Sequence, residues 1–316
     1  MAITDFDIAV VGHFSVDTIH LPTRRAPFNV LGGAVTYTAL AAKCSDISVG
    51  VISRVGANFP HAYLWWLEQE GIDLSAVTQH PEEPTTGFEL TYNEDFTHRT
   101  LKLKNKGPTL SPEELPKNFH AKAIHLGPIV NEIPYETAEA LKKSADIVSL
   151  DPQGLLRSFD EAGNVSKNIL IDNQIFSLIN IYKSSQPEIC ALTGETDLKQ
   201  AIRTIHDVGV ETVIVTNNAK GSVLSVEGTQ YNIAAYPSEV LVDPTGAGDV
   251  FIGAFLTEYL KQKELLWCAA VGSAAASLVV EGLGPTYFGK KEQVYQRAQS
   301  IYSKKEDKQP SKLHAF

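Results

Sequence analysis

Residues 243–251, Asp-Pro-Thr-Gly-Ala-Gly-Asp-Val-Phe, set two carboxylates around a glycine pair and then turn apolar at once. Phe251, Phe255 and Tyr259 follow at intervals of four, which is the spacing of one helical face. The spacing predicts a helix that opens at residues 246–248 with Asp249 in its first turn. Glycines at a helix mouth let successive N–H groups converge, and the helix terminus adds about half a positive charge. Gly246, Ala247 and Gly248 would therefore form an anion hole. A carboxylate beside such a hole can take a proton from a hydroxyl while the amides hold the developing negative charge. Asp is also favoured in the first turn of helices that catalyse nothing, but a cap alone does not need Gly-Ala-Gly before it.

The rest of the chain must hold that helix mouth in place, and its pattern is an alternation of strand and helix. Apolar, β-branched runs at 6–12, 47–53, 121–127, 145–151 and 211–217 read as strands. Residues 32–44, 59–71, 197–209, 247–262 and 264–281 read as helices, with another helix between the strands at 121–127 and 145–151. This predicts a three-layer α/β/α fold around a mostly parallel sheet. Residues 221–236 read as a hairpin turning at Glu227-Gly228. Residues 85–104 break the rhythm with two alternating runs, which predicts a two-stranded ribbon serving as a small β lid. With no repeat and no linker, residues 1–303 read as one domain and 304–316 as a polar, disordered tail.

Composition narrows the function classes. Of 316 residues, 43% are hydrophobic and 20% charged, which is ordinary globular usage. The net charge of -10, with no acidic block, argues against nucleic acid as the main partner. Cys44, Cys190 and Cys268 are odd in number and far apart, and the nine histidines contain no His-Glu-x-x-His, so neither a disulfide framework nor a zinc site is expected. The start lacks a signal-like pattern and the apolar stretch 265–280 is short for a membrane span. A cytoplasmic protein with no membrane partner is the expectation.

Asp-Pro-Thr-Gly-Ala-Gly-Asp-Val-Phe-Ile-Gly-Ala-Phe resembles the signature of the PfkB/ribokinase family of carbohydrate and nucleoside kinases, and the resemblance extends over about residues 5–300. It implies Asp249 as the catalytic base and residues 246–248 as the anion hole. Gly12 and Asp17 match the glycine and substrate-binding aspartate that the family places at the end of its first strand, and Gly32 and Gly33 match its sugar-contacting glycine pair. Thr216, Asn218 and Gly221 fall where the family binds the nucleotide, with Asn218 in place of its usual glycine; an Asn can still take the left-handed conformation. Glu188 matches the acid of the Asn-x-x-Glu motif that organises magnesium, although Ser185 replaces the asparagine. The stretches around Asp243 and at 281–286 fall where many members hold a monovalent cation such as K+. Tyr37 replaces an asparagine that contacts sugar in ribokinase, which leads away from ribose. Asp151, Gln153 and Arg157, in Leu-Asp-Pro-Gln-Gly-Leu-Leu-Arg, fall near the substrate pocket that the resemblance implies, with Asp151 and Gln153 as substrate contacts, and the Asp-x-Gln-Gly stretch is similar to one in the inositol-kinase-like branch.

The implied activity is transfer of the γ-phosphoryl group of ATP, as its Mg2+ complex, to a hydroxyl of a sugar, polyol or nucleoside. The exposed edges of a lid ribbon invite pairing, which offers a homodimer through the lid. Three rivals are weaker. Residues 284–291 miss a Walker motif because Lys291 stands where Ser or Thr would hold magnesium. Gly-Ala-Gly-Asp-Val-Phe lacks the third glycine of a dinucleotide fingerprint. A non-catalytic sensor on the same scaffold would have no need of the base. His13 and His125 read as satisfied core or rim residues, at least one of Trp65 and Trp66 as core, and Lys102 and Lys104 as a solvated lid face. Arg54 has no expected role, and Asp5 and Asp7 read as surface charge.

Overall fold

β-Branched runs and glycine-opened helices assemble, in the computed structural model, around a nine-stranded sheet; the structure describes residues 4–94, 99–167, 173–238 and 240–306. The strands are β1 (Thr4–Val11), β2 (Ser15–His20), β3 (Phe28–Gly32), β4 (Val49–Gly56), β5 (Asp73–His80), β6 (Gly87–Tyr92), β7 (Arg99–Asn105), β8 (Phe119–Leu126), β9 (Ala145–Leu150), β10 (Arg157–Phe159), β11 (Val165–Lys167), β12 (Ile181–Ser185), β13 (Thr212–Thr216), β14 (Ser222–Val226) and β15 (Thr229–Ile233). The helices are α1 (Ala34–Lys43), α2 (His61–Gln69), α3 (Tyr135–Lys142), α4 (Gln186–Thr193), α5 (Leu198–Asp207), α6 (Ala247–Leu260), α7 (Leu265–Val279) and α8 (Lys291–Glu306).

The central sheet runs β15-β14-β13-β12-β9-β8-β1-β4-β5. Its strands from β13 to β5 are parallel, and β14 and β15 add an antiparallel edge. Alternation along β1 feeds two cores: Ile8 and Val10 join the layer of α1, α6 and α7, while Ala9 and Val11 join that of α3, α4 and α5. Helices α6 and α7 are apolar almost all round because both are buried, as the run at 265–280 predicts. The hairpin turns where expected, with Glu227 and Gly228 both left-handed, the backbone that a two-residue turn between twisted strands requires. Among the described residues, no helix is long and apolar enough to cross a membrane.

The lid differs from its expectation. Strands β6 and β7 form the expected ribbon, but they are half of a four-stranded sheet ordered β3-β2-β6-β7. Strand β2 escapes a hydrophobicity reading because its inward positions are Ser15, Asp17 and Ile19, so polar side chains sit where an apolar alternation would betray a strand. Asp17 accordingly lies in the middle of a lid strand, not at the end of the first strand. The inner lid face sets Ile19, Phe88 and Leu90 against Ile129 and Val130, and Lys102 and Lys104 face outward as expected. The polar tail also starts later than expected, since α8 continues to Glu306; residues 307–316 lie outside the described residues.

Helices α1 and α6 approach so closely that a Cβ built on Gly253 would lie 2.5 Å from the Thr38 carbonyl oxygen. Gly253→Val is therefore expected to lower stability by about 1–3 kcal/mol through overpacking, read as a fall in the urea midpoint. An unchanged midpoint would mean that the helices can part without loss.

Candidate active site

A parallel sheet opens a crevice where neighbouring strands send their connections to opposite sides, and here that point lies between β1 and β8. Each functional element leaves the carboxyl end of a strand at or beside this crevice. Strand β1 leads to β2 with Asp17, β9 to Asp151 and Gln153, β12 carries Lys183, and β13 ends at Thr216. Glu132, buried, ties two of these ends together by accepting the amides of His13, Ile129 and Val130.

Asp249 occupies the first turn of α6, as predicted. Its Oδ1 accepts 2.9 Å from Gln153 Nε2, and Gln153 Oε1 accepts 2.9 Å from Arg157 Nη2. The Lys183 ammonium donates to Asp151 Oδ2 at 2.5 Å and lies beside Gly248, where a Cβ would collide with it. Two cations and two carboxylates thus share one cluster, with Asp151 and Lys183 buried and Asp249 and Arg157 half-buried. Burial pushes the Asp249 carboxyl up to about 7, opposed by Lys183, reinforced by Asp151 and opposed again by Arg157 and the Gln153 hydrogen bond. Burial works against the Lys183 charge, but Asp151, Asp249 and Glu188 hold its pKa above the ordinary lysine value. Asp151, expected as a substrate contact, is 1% exposed and is engaged with Lys183 and the Gln153 amide.

Gly246 caps α6 in the left-handed conformation (φ 78°), and a Cβ there would strike the Tyr37 ring. The first-turn amides of Gly248 and Asp249 have no acceptor one turn back within the helix and lie at its positive end, whereas the Ala247 amide donates to the Pro244 carbonyl at 3.4 Å. Tyr37, 3% exposed, is the floor of this loop. Thr38, next to it on α1, donates to the Asp249 carbonyl at 3.2 Å and fixes the height of α6.

On the acceptor side, Gly33 caps α1. A Cβ on Gly32 would fall on the Asp17 carboxylate and the Ser15 hydroxyl, so these two oxygens converge on the space that glycine leaves open. Asp17 Oδ1 accepts from the Phe88 amide at 3.2 Å, which links it to the neighbouring lid strand. Tyr92, at the end of β6, donates 3.0 Å to Asp243 Oδ1, which also accepts from the Thr245 amide and hydroxyl.

On the far side of α6, Asn218 takes the left-handed conformation (φ 48°), which its amide side chain tolerates, and Gly221 completes the turn after Thr216. Glu188 closes a capping box on α4 by accepting from the Ser185 amide and hydroxyl at 2.7 and 2.6 Å. Among the described residues no three His, Cys, Asp or Glu side chains form a metal cage. That donor set suits a metal held mainly by phosphate oxygens and water with one or two carboxylates, as Mg2+ commonly is.

The structure also places the remaining candidates. His13 is buried between Thr86 Oγ1 and the Pro108 carbonyl. His125 is buried against Ser149; burial and Lys183 push it to about 3, so it stays neutral. Trp66 packs against the core while Trp65 is 63% exposed. Arg54 bonds to the Thr109 carbonyl and Glu114 rather than to any pocket, and Lys291 pairs with Asp46 at the start of α8, far in form from a phosphate loop. Asp7 pairs with Lys122 and Ser48. Lys183 and Tyr92 were not legible as site residues; the signal for Lys183 was a lysine set inside the strand run Ile-Tyr-Lys-Ser-Ser.

A profile of the pfkB family of carbohydrate kinases matches residues 3–291. The cytidine kinase of Thermococcus kodakarensis is 29% identical over 281 residues, which cover 88% of this chain and 97% of that one. The inositol 3-kinase of Oryza sativa subsp. japonica is 27% identical over 300 residues, covering 88% of this chain and 69% of that one. Among solved structures, Arabidopsis thaliana ribokinase complexed with ribose and ATP matches with a TM-score of 0.73 at 24% identity, covering 95% of this chain and 99% of the other. That likeness shows the fold.

The raised carboxyl of Asp249 has a consequence for stability. Between the ordinary value of 3.8 and about 7, the folded chain keeps a proton that the unfolded chain has released. On account of this group, stability therefore falls as pH rises through that window. Asp249→Asn removes the effect, so its urea midpoint relative to the unsubstituted protein should rise between about pH 4 and about pH 7. A difference independent of pH would mean that Asp249 is ionised throughout.

Proposed function

This chain belongs to the pfkB family of carbohydrate kinases and is a phosphotransferase of that kind, and we propose that it phosphorylates a hydroxyl of a small sugar, an inositol-like polyol or a nucleoside, with Asp249 as the base. The observation that carries the reading is the half-buried Asp249 side chain, hydrogen-bonded to Gln153 beside the glycine mouth of α6, with its carboxyl pushed up to about 7. A group that titrates near the working pH is both available as a base and strong enough to act. The relatives named for cytidine and for inositol favour a nucleoside or a polyol over ribose, in line with Tyr37 and the Asp-Pro-Gln-Gly stretch.

ATP, as its Mg2+ complex, supplies the γ-phosphoryl group. The chain's own residues do the rest. Asp17, with Gly32 and Gly33 beneath it, holds the acceptor's hydroxyls under the lid. Gln153 fills Oδ1 of Asp249 and leaves Oδ2 to take the hydroxyl proton as the acceptor oxygen bonds to the γ-phosphorus and the bond from that phosphorus to the bridging oxygen breaks, releasing ADP. The amides at 246–248 receive the charge that builds on the transferring group. Thr216, Asn218 and Gly221 line the nucleotide side. Glu188 and Asp243 are the carboxylates offered to the metal-bearing end, and the backbone around Asp243 and 281–286 would hold K+. Strand β3 is the lid edge on which a second copy would pair, which sedimentation would read as a dimer.

The test is ADP release from Mg-ATP against myo-inositol, ribose, fructose, fructose 6-phosphate, cytidine and adenosine. One acceptor should give a rate that rises as pH passes through about 7, since the base works only when deprotonated. Asp249→Asn should lower it by about 10²–10⁴-fold. Comparable turnover in the Asn protein would remove Asp249 as the base. Silence across the panel with acceptor binding retained would instead support the sensor on the same scaffold.

A further inference from the structure

The short hairpin formed by β10 and β11 touches both the lid and the residues that hold the base. At its turn, the Gly163 carbonyl accepts 2.8 Å from the Leu103 amide on lid strand β7, and Lys102 bridges to Asn164. The contact is close: Gly163 is left-handed (φ 81°), and a Cβ there would meet the Leu103 carbonyl. The turn itself is braced by Asp160, whose carboxylate accepts from the Asn164 amide and side chain at 2.8 Å each. Along β10, the Phe159 ring lies 6.3 Å from Phe88 on lid strand β6. At the start of β10, Arg157 donates to the Ile129 carbonyl at 3.2 Å and to Gln153 Oε1 at 2.9 Å.

Arginine has donors only. Gln153 must therefore turn its oxygen to Arg157, and its amide nitrogen is left for Asp249, 2.9 Å away. Without Arg157 the amide could flip and present an oxygen to the carboxylate. Resting on the kinase reading above, we propose that Arg157 is a positioning residue for the base, and that the 157–167 hairpin carries the docking of the lid sheet to it. A lid seated on the hairpin fixes β10, β10 fixes Arg157, and Arg157 fixes the face that Gln153 shows to Asp249. The base is then fully oriented only when the lid is down over an acceptor, which keeps water from being a competent acceptor in the open protein.

The charged groups around Asp249 are Lys183 on β12, Asp151 after β9 and Arg157 on β10, with Glu188 on α4 acting on Lys183. Arg157 is one of the two cations that lower the Asp249 carboxyl. Its loss should therefore move the rise of kcat to higher pH.

The experiment measures kcat, KM for acceptor and for Mg-ATP, and the pH profile of kcat, in three variants of the full chain, each checked for folding by its urea midpoint. Arg157→Ala should lower kcat by about ten- to a hundred-fold, leave KM for Mg-ATP within about three-fold, and shift the rise of kcat upward by about one pH unit. Arg157→Lys keeps the charge but not the fork, so kcat should fall while the pH profile stays in place; it also serves if the Ala protein does not fold. Gly163→Val, which parts the hairpin from β7, should lower kcat in the same direction without touching the site. An unchanged kcat and profile in Arg157→Ala would overturn the positioning role. An effect in Arg157→Ala with none in Gly163→Val would overturn the link to the lid. Failure of the unsubstituted protein to phosphorylate any acceptor would instead overturn the kinase reading.

Discussion

Taking a carboxylate out of water costs several kcal/mol unless charges and donors replace the solvent. Around Asp249 the replacements come from three places in the sequence: Lys183 from the middle of β12, Gln153 after β9, and Arg157 at β10. None of them is a neighbour of Asp249 along the chain. The parallel sheet is what makes the meeting possible, because it delivers the carboxyl ends of β9 and β12 to the same level as the mouth of α6. The pairing is incomplete by design of charge: Asp151 takes most of what Lys183 offers. The Asp249 carboxyl is left above its ordinary value instead of being locked as a permanent anion.

The lid obeys a second constraint. A sheet of four short strands standing off the main body has an apolar inner face that must be covered and open edges that must be managed. The body covers the face with Ile129 and Val130, and the hairpin at 157–167 takes part of the β7 edge. Tyr92 fastens the end of β6 to Asp243, just before the glycine mouth. The contacts that stabilise the lid are thus made to segments flanking the reacting groups.

Much of this was legible in the sequence where local chemistry and tertiary placement agree. The strands at β1, β4, β8, β9 and β13 are apolar on both faces, and α6 announces itself through Gly246 and the periodicity of its aromatics. The turn at Glu227-Gly228 could hardly be anything else. Illegible were elements whose side chains answer to partners far away. Strand β2 turns Ser15 and Asp17 inward, where the backbone of Gly32 and not a hydrophobic core lies beside them. Strands β10 and β11 have three residues each, too few to show a period. Lys183 reads as an ordinary charge until the fold places Asp151 2.5 Å from it. Glu188 reads in the sequence as the acid of a magnesium motif, and what the structure shows for it is a capping box with Ser185.

The missing Cβ of Gly246 and the ring of Tyr37 occupy one volume. Neither position can change freely while the other stays: a larger residue at 246 meets the ring, and a smaller one at 37 leaves a void under the mouth of α6. Over evolutionary time the two sites can drift only as a pair. The side chain at residue 37 is then tied to a backbone shape set more than two hundred residues further along the chain.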